Sequence, residues 1–182
     1  MDTITSEIGF AGAGLYPDCL SLLSFGRDVS SEYLRTYRKP SPVKKVADEV
    51  GILFWQCICV VQDGIKFQVG ERVYLYTTTL HRPYGSETIL ASCSPSPTLY
   101  VVDITGTVRR YRGFATGKER QVASAEVEKL VRESGQLSLD QMKEKMVEVI
   151  RKLQPKRQDR RIDIGWASAK ECGKFEVCVI YL

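Results

Sequence analysis

Hydrolytic and phosphoryl-transfer centres depend on a few residue types held at particular spacings, and the chain offers four sets of candidates. His81 is the only histidine; no serine or cysteine nucleophile stands beside it in sequence, so it reads as a surface or hydrogen-bonded structural residue. The carboxylates Asp18, Asp48 and Asp103 fall in three separate segments, and nothing in their spacing brings two of them to one substrate as a general acid and base. Gly113, Gly117 and Lys118 lie between a strand pattern and a helix pattern, which is the setting of a phosphate loop. Three residues separate the glycines where four are needed, and Glu119 follows the lysine in place of a metal-binding Ser or Thr. Cys57 and Cys59 form a C-x-C pair without a second pair to complete a zinc site. With Cys19, Cys93, Cys172 and Cys178 they sit among apolar residues, as reduced structural thiols do. No cofactor, metal or catalytic constellation is expected.

The elements that would position these residues follow from periodicity. Ile8 to Leu15 is an apolar, glycine-rich strand, and Pro17 opens a helix that carries Leu20, Leu23 and Leu34 to Tyr37. Ser41-Pro42 marks a second helix start, with Ser41 as cap and Val43, Val46, Ala47 and Val50 at i, i+3, i+4 and i+7. From Gly51 to Arg72 the pattern changes to a strand-period hairpin around Asp63-Gly64, a block foreign to the helix it interrupts. Ser86 to Ser92, Thr98 to Ile104 and Thr107 to Ala115 read as consecutive strands, the last two joined at Thr105-Gly106 with Asp103 capping the turn. Thr116 and Glu119 have capping-box spacing before Ala123, Val127, Leu130 and Val131. Gly135 supplies a left-handed stop, and Ser138 with Gln141 forms a second box before the stripe from Leu139 to Leu153. Ile162 to Trp166 and Lys174 to Tyr181 close the chain as a hairpin. Strands, helices, then strands define an α+β layered fold.

A chain of 182 residues, 43% hydrophobic and 26% charged, forms one domain with a core of its own. No apolar run approaches the roughly 20 residues a membrane helix needs, so no membrane partner is expected. The net charge of +4 raises the question of nucleic acid, because Lys152 to Arg161 holds five cations and Arg109, Arg110 and Arg112 form a second cluster. Neither cluster is interleaved with aromatics or set in a recognition motif, so a basic RNA-binding module is the lesser reading and no nucleic-acid partner is expected.

Three motifs carry a family likeness. LYVVDITGTVRRYRGFATGKERQVASAEVEKL (Leu99 to Leu130), EIGFAGAGLYPD (Glu7 to Asp18) and Arg82-Pro83-Tyr84-Gly85 occur in order. The chain resembles the α subunits of the proteasome over about two-thirds of its length, most of all the type-3 branch. The resemblance implies an αββα four-layer sandwich of the N-terminal-nucleophile hydrolase type, here without its first strands and outer N-terminal helix, as in a truncated member. It implies a non-catalytic ring subunit of the 20S core, assembled with other α and with β subunits, acting in ubiquitin-dependent degradation in cytoplasm and nucleus. The residues it singles out set shape: Arg82, Pro83, Tyr84, Gly85, Asp103, Gly106, Gly117 and Lys118. A stand-alone hydrolase of this fold would need a terminal threonine, but Thr3 follows Met1-Asp2, lies too near the Ile8 strand and lacks the Gly-Thr junction of catalytic relatives. Residues 51–72 have no counterpart in the family's second helix and read as an insertion within it.

Overall fold

The computed structural model describes residues 1–63, 82, 84–153, 161–167 and 174–181. A five-stranded antiparallel sheet runs β1 (Asp2–Thr3), β2 (Ile8–Gly14), β3 (Ser86–Ser92), β4 (Thr98–Val102), β5 (Val108–Tyr111) in spatial order. Register fixes its two faces, because directly paired residues share a side. Phe10 pairs with Leu90, Leu90 with Tyr100 and Tyr100 with Arg110, so that row faces one helix layer. Gly9, Ala91, Leu99 and Tyr111 face the other way.

The first layer consists of α1 (Tyr16–Tyr37) and α2 (Val43–Asp63). In α1 the buried stripe is Asp18, Leu22, Gly26 and Ser30 at four-residue spacing, together with Leu23. Leu20 and Leu34, expected on that face, are exposed. Gly26 makes room for the segment between β1 and β2: a Cβ there would lie 2.7 Å from Ile4. The α2 stripe is as its periodicity predicts, with Val46, Ala47 and Val50 fully buried and Val43 nearly so. Ser41 does not act as the expected cap. Its hydroxyl donates to Ser30 Oγ at 2.9 Å, a buried link between the two helices.

The strand-period hairpin expected from Gly51 is overturned over residues 51–63, which continue α2 without a break. Phe54 extends the buried stripe by one turn, and helix-on-sheet burial outweighs the β-rich composition of the segment. The Asp63-Gly64 turn and the strand beyond it lie outside the described residues.

On the opposite face of the sheet, β6 (Arg161–Ala167) and β7 (Phe175–Tyr181) form the expected antiparallel hairpin. It lies against the sheet through Phe175, whose ring occupies the space a Cβ on Gly9 would need and whose N–H donates to Ser6 O at 2.7 Å. Beyond it lie α3 (Arg120–Glu133) and α4 (Leu139–Leu153). Val147 of α4 packs on Ile162 and Ile164, and Lys143 Nζ stands 3.5 Å over the Trp166 ring. The order of layers is helix, sheet, hairpin, helix.

The start of α4 is the predicted capping box: Ser138 N–H donates to Gln141 Oε1 at 3.0 Å and Gln141 N–H to Ser138 Oγ at 3.3 Å. The start of α3 is not. Glu119 takes a left-handed conformation (φ 66°) with no side-chain cap, and the Thr116 hydroxyl donates to Glu87 on the sheet. Gly135 lies in a 3-10 turn, Ser134–Gln136, and is not a left-handed stop.

Candidate functional site

The site is built where β2, α1 and β3 converge. Gly14 ends β2 at φ +137°, and a Cβ there would fall 2.2 Å from the Gly85 carbonyl oxygen; only glycine lets the two backbones meet. Leu15 N–H then donates to that oxygen at 3.0 Å. One turn on, Asp18 is 4% exposed, and its carboxylate accepts from Arg82 Nη1 (2.7 Å), Arg82 Nη2 (2.5 Å) and Gly85 N–H (2.8 Å). The guanidinium fork matches the carboxylate in a bidentate pair, and the first turn of a helix favours a negative charge. Tyr84 packs on Phe54 with ring centroids 5.4 Å apart and planes tilted by 57°. The segment around Arg82 and Gly85 is thereby tied to α1, β2 and α2 at once.

The electrostatics say what this carboxylate can do. Hydrogen bonds from Arg82 hold Asp18 below the usual aspartate range; burial opposes them, and the Gly85 N–H and the Arg82 charge add to the lowering. A carboxylate so held stays ionised near neutral pH, engaged by three donors, and serves as an anchor instead of a base.

The other singled-out residues form two further groups. Asp103 Oδ1 accepts from Thr105 N–H (2.8 Å), Thr105 Oγ1 (2.5 Å) and Thr107 N–H (3.1 Å), while Gly106, at φ 79°, donates to Asp103 O at 3.0 Å. This is the turn cap the sequence implied. Burial pushes the Asp103 carboxyl up, but the Thr105 and Thr107 donors and the Arg109 charge outweigh it and the net direction is down. Gly117, at φ 99°, and Lys118 form an exposed turn ahead of α3, apart from both. Arg82 and Gly85 therefore meet at Asp18 while Tyr84 between them packs on Phe54, Asp103 and Gly106 share one turn, and Gly117 and Lys118 stand apart. Pro83 and His81 lie outside the described residues.

The sequence presents Asp18 as a candidate carboxylate and a motif end, and its role as acceptor for Arg82 and Gly85 comes only from the fold. Arg82 is 64 positions away from it in the chain. The other chemical candidates do not join it. Thr3 sits on the edge strand β1 with its carbonyl accepting from Arg27 Nε (3.0 Å) and Nη2 (2.7 Å). Cys93 is buried, and burial pushes the Cys19 thiol up, away from the reactive thiolate. Among the described residues no three His, Cys, Asp or Glu side chains cluster as metal ligands.

A helix pair on each side of antiparallel sheet layers, fastened at the Asp18 junction, defines an α+β sandwich, and comparison with known proteins supplies the family. The sequence model "Proteasome subunit" matches residues 68–167, more than half of the chain. The chain belongs to the proteasome subunit family. It is 29% identical to "Probable proteasome subunit alpha type-7" of Saccharomyces cerevisiae, over 94% of this chain and 54% of that protein. It is 31% identical to proteasome subunit alpha type-3 of Oryza sativa subsp. japonica, over 67% of this chain and 42% of the relative. With the type-3 subunit of Drosophila melanogaster it shares 27% identity over 90% of this chain and 58% of the relative. The chain spans about half the length of the curated relatives it matches.

Proposed function

We propose that the chain acts as an α-type, non-catalytic structural subunit of the 20S proteasome core, assembling with other α subunits and with β subunits for ubiquitin-dependent protein degradation. The observation that carries this reading is the Asp18 junction. It joins two of the three family motifs through side chains that determine shape and leave no group poised for chemistry. Named α-type relatives matched over most of this chain support it. So does Thr3, whose place within a paired strand behind two residues is unlike that of a terminal nucleophile. The proposed compartment is cytoplasm and nucleus. Free thiols at Cys19 and Cys93 suit a reducing environment, and no helix among the described residues is long and apolar enough to cross a membrane.

Co-expression of the full chain with proteasome α and β subunits, followed by affinity capture and native electrophoresis, tests the proposal. The expected result is recovery of the chain in a complex that contains both subunit types. Recovery as a monodisperse monomer, with neither subunit type retained, would overturn it.

A further inference from the structure

Among the described residues, one outer strand of the sheet has no neighbour on its far side and carries arginines that form no ion pair. β5 is the outermost strand beyond β4 among the described residues. Its ladder fixes which backbone groups face outward. Asp103 N–H donates to Thr107 O, so the hydrogen-bonded pairs of this register are Asp103 with Thr107, Val101 with Arg109 and Leu99 with Tyr111. The amides and carbonyls of Val108 and Arg110 therefore point away from β4, toward the open edge.

That edge is cationic on both faces. Arg110 shares the face of Tyr100, and Arg109 shares that of Tyr111; Arg112 follows just past the strand. All three are exposed, and among the described residues none forms an ion pair. Arg110 reaches only the Pro97 carbonyl, at 3.5 Å, and Arg109 approaches Asp103 closely enough to be felt there, although the two are not paired. Elsewhere the chain pairs its exposed charges freely, as at Lys129 with Glu126 and Lys152 with Glu148.

Positive charges on an edge strand commonly prevent a second copy from adding itself, since like charges directly opposite repel. The same charges select a strand of opposite sign. Beside the Arg110 end lies a hollow of about 760 Å³ lined in part by Leu99, Tyr111, Trp166 and Phe175, with room for one bulky apolar side chain.

We propose that the open edge of β5 captures an extended acidic segment of a partner protein as an added strand. Main-chain bonds to Val108 and Arg110 would hold it, carboxylates would face Arg109, Arg110 and Arg112, and an apolar residue would end in the adjoining hollow. This reading rests on the edge, its charge and the adjoining hollow, and it stands or falls independently of ring assembly.

The test is fluorescence polarisation with the full chain and a fluorescein-labelled peptide of consecutive glutamates ending in phenylalanine. Saturable binding is expected, weakened at least about tenfold in the double variant Arg109→Glu, Arg110→Glu, whose melting curve should match the parent because both side chains are exposed. Should that variant fail to fold, Arg109→Gln with Arg110→Gln serves instead. Two N-methylated peptides separate strand addition from simple attraction: methylating the alternate amides that face β5 should abolish binding, and methylating the other set should leave it unchanged. Equal binding of both methylated peptides, absence of saturable binding, or displacement of the peptide by an oligouridylate that binds more tightly would overturn the proposal.

Discussion

The two helix pairs are both amphipathic and are buried to different depths. α1 and α2 close over the five-stranded sheet so that Leu22, Val46, Val50 and Phe54 keep no accessible surface. α3 and α4 bury only Val147 among their described residues, and Val122, Met146 and Ile150 remain exposed. The difference lies in what each pair covers. α1 and α2 face a sheet whose inner rows are Ile8, Phe10, Leu90 and Val102, whereas α4 covers a two-stranded hairpin that offers it Ile162, Ile164 and part of Trp166. Periodicity states which side of a helix is apolar; the area of the facing surface decides how much of that side leaves water. Stability is accordingly concentrated in the first pair.

The largest expected effect tests that concentration. Phe54→Ala removes a fully buried ring packed against Tyr84 and should cost about 3–5 kcal/mol, which for a chain of this size lowers Tm by roughly 10 °C. The same position sharpens the proposal that residues 51–72 are an insertion in α2. Their deletion joins Val50 to Val73 and brings Tyr76 to the place of Phe54 on the helix. Under that proposal the deletion variant keeps a cooperative melt and suffers less than the single substitution. Its weak point is Gly51, where a Cβ would lie 2.6 Å from Val108 and 2.8 Å from the Gly106 oxygen. Val73→Gly in the deleted chain should therefore raise Tm. A deletion variant that does not fold would return residues 51–72 to the fold proper.

That case also shows where sequence reading succeeds and stops. Local signals with their partners nearby were legible: the Asp103 turn, the Ser138 box, the small-residue strand at Ile8 and the three strands from Ser86. Signals that compete with a tertiary partner were not. Thr116 has capping-box spacing, but Glu87 of the sheet offers its hydroxyl a carboxylate acceptor, and Ser41 finds Ser30 in the same way. Residues 52–61 have strand composition, yet α2 continues through them, and Phe54 completes the stripe begun at Val43. The two-residue strand β1 is too short for any period to reveal. For the candidate site, the motif residues were visible as separate stretches, while the pairing of Asp18 with Arg82 and Gly85 was hidden by their distance in sequence.

A middle-sized effect isolates that carboxylate. Asp18→Asn keeps the shape but loses the charge and the bidentate acceptor; hydrogen bonds to a charged group are worth about 1.5–3 kcal/mol, or roughly 5 °C in Tm near neutral pH. The pH dependence gives a second reading. Because the folded-state pKa of Asp18 lies below its unfolded value of about 3.9, its contribution is present in full above that value. It fades as pH falls through the folded pKa. Parent Tm should drop steeply below about pH 4, and the Asn variant, with nothing at that position to protonate, should show a shallower slope. Identical slopes would mean that other carboxylates, Asp103 among them, carry the acid transition.

The smallest effect probes the other half. Val147→Ala removes two methyl groups from the one buried position of α4, worth at most about 1.6 kcal/mol at 0.8 per buried carbon. The thin cover around it should hold the loss nearer 1 kcal/mol, a Tm change of about 3 °C. Neighbouring Lys143 complicates the measurement, since its ammonium sits over the Trp166 ring. Val147→Ala should therefore be read beside Lys143→Met, which keeps the stem and discards the charge. If α3 and α4 are as loosely held as their exposure implies, hydrogen exchange in Val147→Ala will accelerate along α4 and leave α1 and α2 protected. Exchange that rises together in both helix pairs would show one cooperative unit, and the contrast in burial would then not be a contrast in stability.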